Sequence, residues 1–315
     1  MSFGGWWRLT LGTAAFVMFA PGALPLFLLP LAALIVAAGA RSWAGWVIVG
    51  IAATAGLWLA VPRSPATLEA AIGAYMLLAS VGFVATALFA PDRFLRQALR
   101  ATLAGTAGTM LLGLITHGGL SLGELQWDAV RQTSNMARIA LIEVPTAWGF
   151  KVSDFAPAFE PVVRFLSVTW PAQLVLATVA GFALAWQWHV RVARDPLGPP
   201  LGPFRQFRFG DHWVWALVAA LLVYVIPKLA ELRGAALNVG VVLGALYFLR
   251  GVAIVVALTA AIGVPNGALV VVSVILGVLV IPLLFIVPGV WTLGVFDTWL
   301  AFRQRIQSPG RPTAS

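Results

Sequence analysis

Cysteine is absent from this chain, and with it go disulfides, thiolate nucleophiles and cysteine metal sites. Charge is nearly as scarce. Only 10% of the 315 residues are charged while 61% are hydrophobic, against about 25% charged in soluble domains. So few charges cannot build a water-facing surface, which excludes a soluble enzyme. Lysine is confined to Lys151 and Lys228, and neither follows a glycine-rich run, so no phosphate-binding loop exists and the chain does not hydrolyse ATP itself. The three histidines, His117, His189 and His212, stand singly, without the spacing a metal requires. A net charge of +9 would suggest nucleic acid in a soluble protein. Here the arginines cluster at the ends of apolar runs and read as topology signals and lipid-headgroup contacts.

What is abundant is long apolar sequence. Residues 9–40, 42–62, 70–91, 101–116, 165–188, 213–227 and 251–296 carry no Asp, Glu, Lys, Arg or His, and residues 234–249 form a shorter run of the same kind. A bilayer core of about 30 Å needs about 20 apolar residues in a helix. The run 9–40 would reach about 48 Å as one helix, so Pro21, Gly22 and Pro25 are expected to break it in two. The run 251–296 would reach about 69 Å, and Pro265-Asn266-Gly267 marks a chain reversal inside it. The apolar run near the N-terminus lacks a small-x-small cleavage site, so no signal-peptide cleavage is expected. The fold class is therefore all-α, a polytopic transmembrane bundle of about eight or nine spans. It forms one membrane domain over residues 1–302, with a short polar tail at 303–315.

Tryptophans recur at run ends: Trp6 and Trp7 beside Arg8, Trp43 and Trp46 near Arg41, Trp186 and Trp188 before Arg191, and Trp213 and Trp215 after Arg208. They read as interfacial belts. Two short loops are dense in arginine, one with Arg93, Arg96 and Arg100, the other with Arg191, Arg194, Arg205 and Arg208. The positive-inside rule places both in the cytoplasm. Residues 123–164 between them then form an extracytoplasmic connector, in which Phe155, Phe159, Val162, Val163 and Leu166 recur at the spacing of a surface-lying amphipathic helix.

One stretch imitates a catalytic motif. Gly119-Leu120-Ser121-Leu122-Gly123 matches G-x-S-x-G, with His117 upstream. A nucleophile elbow needs a buried strand entering a sharp turn, whereas a glycine-rich loop after an apolar helix is expected here, so Ser121 is read as a loop residue. No cofactor and no enzymatic activity are expected.

The most informative stretch runs over residues 238–251. Gly240, Gly244, Tyr247 and Gly251 share one helical stripe, and small residues four apart let membrane helices approach closely. Asn238 and Arg250 are polar in apolar surroundings, and a charge there faces a partner, a cavity or the headgroups. Asn238, Tyr247 and Arg250 are the candidate ligand-binding residues. Gly240, Gly244 and Gly251 are candidate helix-packing positions, and Asp297 with Arg303 a candidate interfacial anchor. Two threadings are open. In one, a single helix runs from 234 to about 263, turns at 265–267, and one further span follows over about 268–287, leaving Arg250 near mid-membrane. In the other, the chain crosses between 234 and 249, and Arg250 snorkels at the interface. The turn signal favours the first.

At Trp170-Pro171, Pro203-Phe204, Trp213, Asn238, Leu246-Tyr247-Phe248-Leu249-Arg250-Gly251, Leu293-Gly294-Val295-Phe296-Asp297 and Phe302-Arg303, the second half of the chain resembles the YybS-like family of uncharacterised multi-pass bacterial membrane proteins. Such proteins look distantly similar to the substrate-binding subunits of energy-coupling-factor transporters. The resemblance implies residence in the bacterial cytoplasmic membrane and a small-molecule site. The expected role is a membrane-embedded small-molecule binding or transport component, with a membrane or ATPase partner subunit supplying energy and the bilayer as its constant partner, without nucleic acid. The alternative is a membrane-embedded interaction or assembly protein that holds no ligand.

Overall fold

The computed structural model describes residues 3–20, 23–39, 43–60, 67–117, 156–265, 267–268 and 281–300, with isolated positions between 128 and 139. Among them the chain is helical and contains no strand. The Gly119–Gly123 motif, most of the 123–164 connector, Arg303 and the polar tail lie outside the described residues. Two compact units result, Met1–Leu201 and Gly202–Ser315.

The first unit holds α1 (Phe3–Phe19), α2 (Ala23–Ala37), α3 (Trp43–Ala60), α4 (Thr67–Phe89), α5 (Phe94–His117), α6 (Ala156–Val168) and α7 (Trp170–Val192). The break between α1 and α2 falls where Pro21 and Gly22 predict it. Small residues set the closest crossings. A Cβ on Gly105 of α5 would lie 2.7 Å from the Cβ of Ala79 on α4, and one on Gly181 of α7 would lie 2.6 Å from the carbonyl of Leu26 on α2. Van der Waals packing of this kind replaces the hydrophobic drive that lipid cannot provide. Around the crossings, Phe83 stacks on Phe182 with centroids 4.4 Å apart. The buried Tyr75 and Thr178 hydroxyls share a 2.9 Å hydrogen bond between α4 and α7. Other hydroxyls, including Ser80, Thr102, Thr106 and Thr109, donate to carbonyls four residues back on their own helices. Such back-bonding meets each of these four hydroxyls in an apolar setting.

The amphipathic helix expected after residue 155 is α6, which meets α7 at a 62° bend. Thr169 occupies the break, and the Gln173 side-chain amide donates to the Leu166 carbonyl that the bend frees. At the far end of α7, Trp186 corrects the interfacial-belt expectation. It is buried, touches Phe83, and donates its indole N–H to Pro199 O. Phe83 also touches Phe94 at the start of α5. The arginine-rich segments 92–100 and 191–201 therefore lie at the same end of this unit. Trp43, Trp46 and Trp7 are exposed, as a belt requires.

The second unit holds α8 (Trp213–Val225), α9 (Arg233–Ala261) and α10 (Ile281–Leu300), with 3₁₀ turns at Phe204–Gln206 and Pro227–Leu232. The long single helix of the first threading is present as α9. It ends at Gly263, whose φ of 80° is the left-handed conformation that glycine adopts without a Cβ penalty. Ala268 N–H then donates to Pro265 O at 3.0 Å, closing the turn read at 265–267. Of the span expected over about 268–287, residues 269–280 lie outside the described residues, and beyond them α10 covers Ile281–Leu300. It packs antiparallel on α9, with Gly251 facing Val290 and Gly294 facing Tyr247.

By length and composition Leu68–Phe89, Phe94–Ile115 and Pro227–Ala261 can each cross a membrane, and the bent α6–α7 pair makes a fourth. The expected eight or nine crossings would also enlist the shorter apolar helices Ala23–Ala37, Gly45–Gly56, Trp213–Val225 and Phe285–Leu300.

Candidate functional site

Glycine creates the site. A Cβ on Gly251 would collide with the Val290 carbonyl, and one on Gly294 with the Tyr247 carbonyl. The backbones of α9 and α10 thus touch directly, and the side chains beside the contact are sealed between them. Arg250, next to Gly251, is fully buried.

A buried guanidinium is costly unless its charge and its donors are matched. Two carboxylates do this. Arg250 Nε donates to Asp297 Oδ2 of α10 at 2.9 Å, and Nη1 donates to Asp211 Oδ1 at 2.8 Å. Asp211 sits just before α8, and its other oxygen accepts from Arg208 Nη2 at 2.6 Å. The result is a chain of alternating charge, Arg208, Asp211, Arg250 and Asp297, formally neutral as a whole. Exposure falls along it: the side chains are 46% and 38% exposed at Arg208 and Asp211, but 0% and 4% at Arg250 and Asp297. The solvent-facing end of the charge chain is therefore at Arg208.

Phe209 lies over the guanidinium, its ring centroid 5.8 Å from Arg250 Cζ, and stands edge-on to Tyr247 at 4.9 Å. Among the described residues, Arg250 Nη2 is buried without a hydrogen-bond partner, and the buried Tyr247 and Thr298 hydroxyls lie beside each other. Buried donors are nearly always met, so the unmet guanidinium nitrogen marks a seat for a water or a polar ligand group. Asp211 lies outside the helices. Burial pushes its carboxyl up, but hydrogen bonds and charge from Arg250 and Arg208 outweigh this and hold it below its ordinary 3.8. It is ionised at neutral pH.

The residues singled out from sequence divide accordingly. Arg250 and Tyr247, three apart on α9, come together. Asn238 does not join them: it lies nine residues from Tyr247, about half a helical turn round, and its amide donates to the Gly234 carbonyl of its own helix. Gly251 and Gly244 face α10, the latter 3.7 Å from the Trp291 indole nitrogen, whereas Gly240 has nothing within 4 Å among the described residues. Asp297 is the buried partner of Arg250 rather than a surface anchor, and Arg303 lies outside the described residues. Sequence reasoning missed Asp211, Arg208, Phe209 and Thr298. The available signal was Asp211 itself, a carboxylate in an arginine-dense loop three residues after Arg208. Among the described residues no three His, Cys, Asp or Glu side chains gather as a metal site would need.

Residues 10–298 match the family model described as "Predicted membrane protein (DUF2232)". The chain belongs to this family. The match supports a membrane family, and not the YybS naming or the similarity to energy-coupling-factor subunits. Neither the curated proteins nor the solved structures yielded a match.

Proposed function

We infer that this membrane protein is a binding or transport component for a small polar solute, with Arg250 at the centre of its site. One observation carries the reading: a fully buried arginine within a 29-residue apolar helix, tied to carboxylates from two other segments and leaving one nitrogen unused. Ionisable groups at such depth are expensive and mark solute or ion pathways. Depth follows from helix length. The 13 residues of α8 rise about 20 Å, less than the roughly 30 Å of a hydrocarbon core. If α8 crosses, the segments at its ends are drawn to the bilayer surface, which leaves Asp211 and Arg208 at the water boundary and Arg250 beneath them. In a cytoplasmic membrane oriented by its arginine loops, the site would open toward the cytoplasm, with an energy-supplying partner acting from that side.

The alternative of a ligand-free assembly protein drew on the glycine stripe. Gly251 and Gly244 face α10, and among the described residues nothing covers Gly240 of that stripe.

The test is native mass spectrometry of the full chain released from lipid nanodiscs. The wild type is expected to retain a small solute that folded Arg250→Lys has lost, because an ammonium cannot reproduce the planar fork. Equal retention by both proteins, or none by either, would refute the reading.

A further inference from the structure

The geometry points to Asp211 as an internal stand-in for an oxyanion ligand, so that the solute class of this site is a small carboxylate or phosphate that displaces Asp211 from Arg208 and Arg250. This rests on the binding reading above and names its substrate class.

Three features converge. First, the Asp211 carboxylate bridges two guanidinium groups, one oxygen on Arg208 Nη2 and the other on Arg250 Nη1. Two arginines around one carboxylate form a binding site for an oxyanion, whatever molecule the carboxylate belongs to. Second, Asp211 uses the end edge of Arg250 incompletely. A guanidinium offers Nη1 and Nη2 as a fork that a free carboxylate or phosphate grips with two oxygens. Asp211 engages Nη1, while Nη2 remains buried without a partner among the described residues. The Tyr247 and Thr298 hydroxyls, which lie beside each other, are further polar groups buried in this unit. Third, the two carboxylates on Arg250 differ in freedom. Asp297 is fixed on α10 and almost wholly buried, whereas Asp211 is more than a third exposed on the segment before α8. Only Asp211 can move into water and ionise there without cost.

Charge balance holds through the exchange. An arriving monoanion takes the place of the departing carboxylate between the same two cations, and Asp297 continues to neutralise Arg250 from the other side. An anion added without displacing Asp211 would bring a third negative charge to two positive ones, which a buried site disfavours.

The experiment uses the full chain in phosphatidylcholine nanodiscs, with acetate and the dihydrogen phosphate monoanion as probes and chloride at matched ionic strength as control. Asp211→Asn is expected to bind a probe about tenfold more tightly than wild type, since removing a competing closed state raises apparent affinity by its former share. Arg208→Gln, which leaves the Arg250 to Asp297 pair in place, is expected to bind more weakly by a similar factor, and Asp92→Asn to match wild type. Should Asp211→Asn not fold, Asp211→Ser and Arg208→Gln carry the comparison. A parallel set of nanodiscs containing phosphatidylglycerol separates the sources: protection by that lipid, in place of the soluble probes, makes the oxyanion a headgroup phosphate. Binding of probes and lipid that is unchanged in both Asp211 and Arg208 variants would overturn the proposal. If the same preparations still retain an Arg250-dependent neutral solute, the binding reading survives and the oxyanion class alone fails.

Discussion

A single arginine in an apolar helix has two physical solutions, to reach the headgroups or to be matched where it lies. Arg250 takes the second, and the matching is unequal. Asp297 is nearly as buried as the guanidinium, so Asp297→Asn leaves a charge half-compensated in a dry setting and should cost about 3 kcal/mol, measured as a fall in thermal midpoint. Asp211→Asn removes a half-exposed partner and should cost at most about 1 kcal/mol. Reversal of that order would show that the loop, and not α10, holds the arginine. The Asp211 carboxyl is held below 3.8 in the folded protein. Its tie is therefore fully present above that ordinary value and is lost as the pH falls through the lower folded value. The thermal midpoint should be insensitive to this group between about pH 8 and 5 and fall only in stronger acid, a fall reduced in Asp211→Asn. Loss of the Asp211 contribution near neutrality would contradict the assignment.

At the scale of elements, glycine positions decide which helices touch. Gly251→Ala and Gly294→Ala each push a methyl group into a carbonyl of the facing helix, and overpacking of this kind costs about 1–3 kcal/mol. Gly240→Ala meets nothing within 4 Å among the described residues and should leave folded yield in detergent unchanged, as measured by fluorescence-detected size exclusion. Much of this level was legible beforehand. The length of α9, the break between α1 and α2, the amphipathic α6 and the reversal after Gly263 all follow from apolar run length and Pro/Gly placement, which are local properties. Beyond the turn at 265–267 the apolar run to 296 carries no further mark of where helices begin or end, and residues 269–280 lie outside the described ones. The pairing of Arg250 with Asp211 and Asp297 was hidden for another reason. Those residues stand 39 and 47 positions apart from it, and only the packing of α9 on its neighbours brings them together. Arg250 was found because burial makes a charge conspicuous in an apolar run. Asp211 was overlooked because an acidic residue in a polar loop is ordinary.

For the molecule as a whole, composition already dictated residence in a bilayer, and the helices long enough to cross it agree. The shared end of the 92–100 and 191–201 segments gives that residence a direction to test. Single cysteines introduced at Leu99 and Leu197 should resist an impermeant maleimide in intact cells and react after permeabilisation; labelling of one segment alone would contradict their common side. The central claim is that the charge chain exists to hold a solute and not to hold the fold. Well-packed apolar residues can replace a buried ion pair at little cost to stability, while any function of the charges is lost. The deciding measurement is therefore on Arg250→Met/Asp297→Leu, with thermal midpoint and retained small molecules recorded on one nanodisc preparation. The account predicts a folded protein, with a midpoint close to wild type, that carries no solute. A folded variant that retains the same solute as wild type would contradict it.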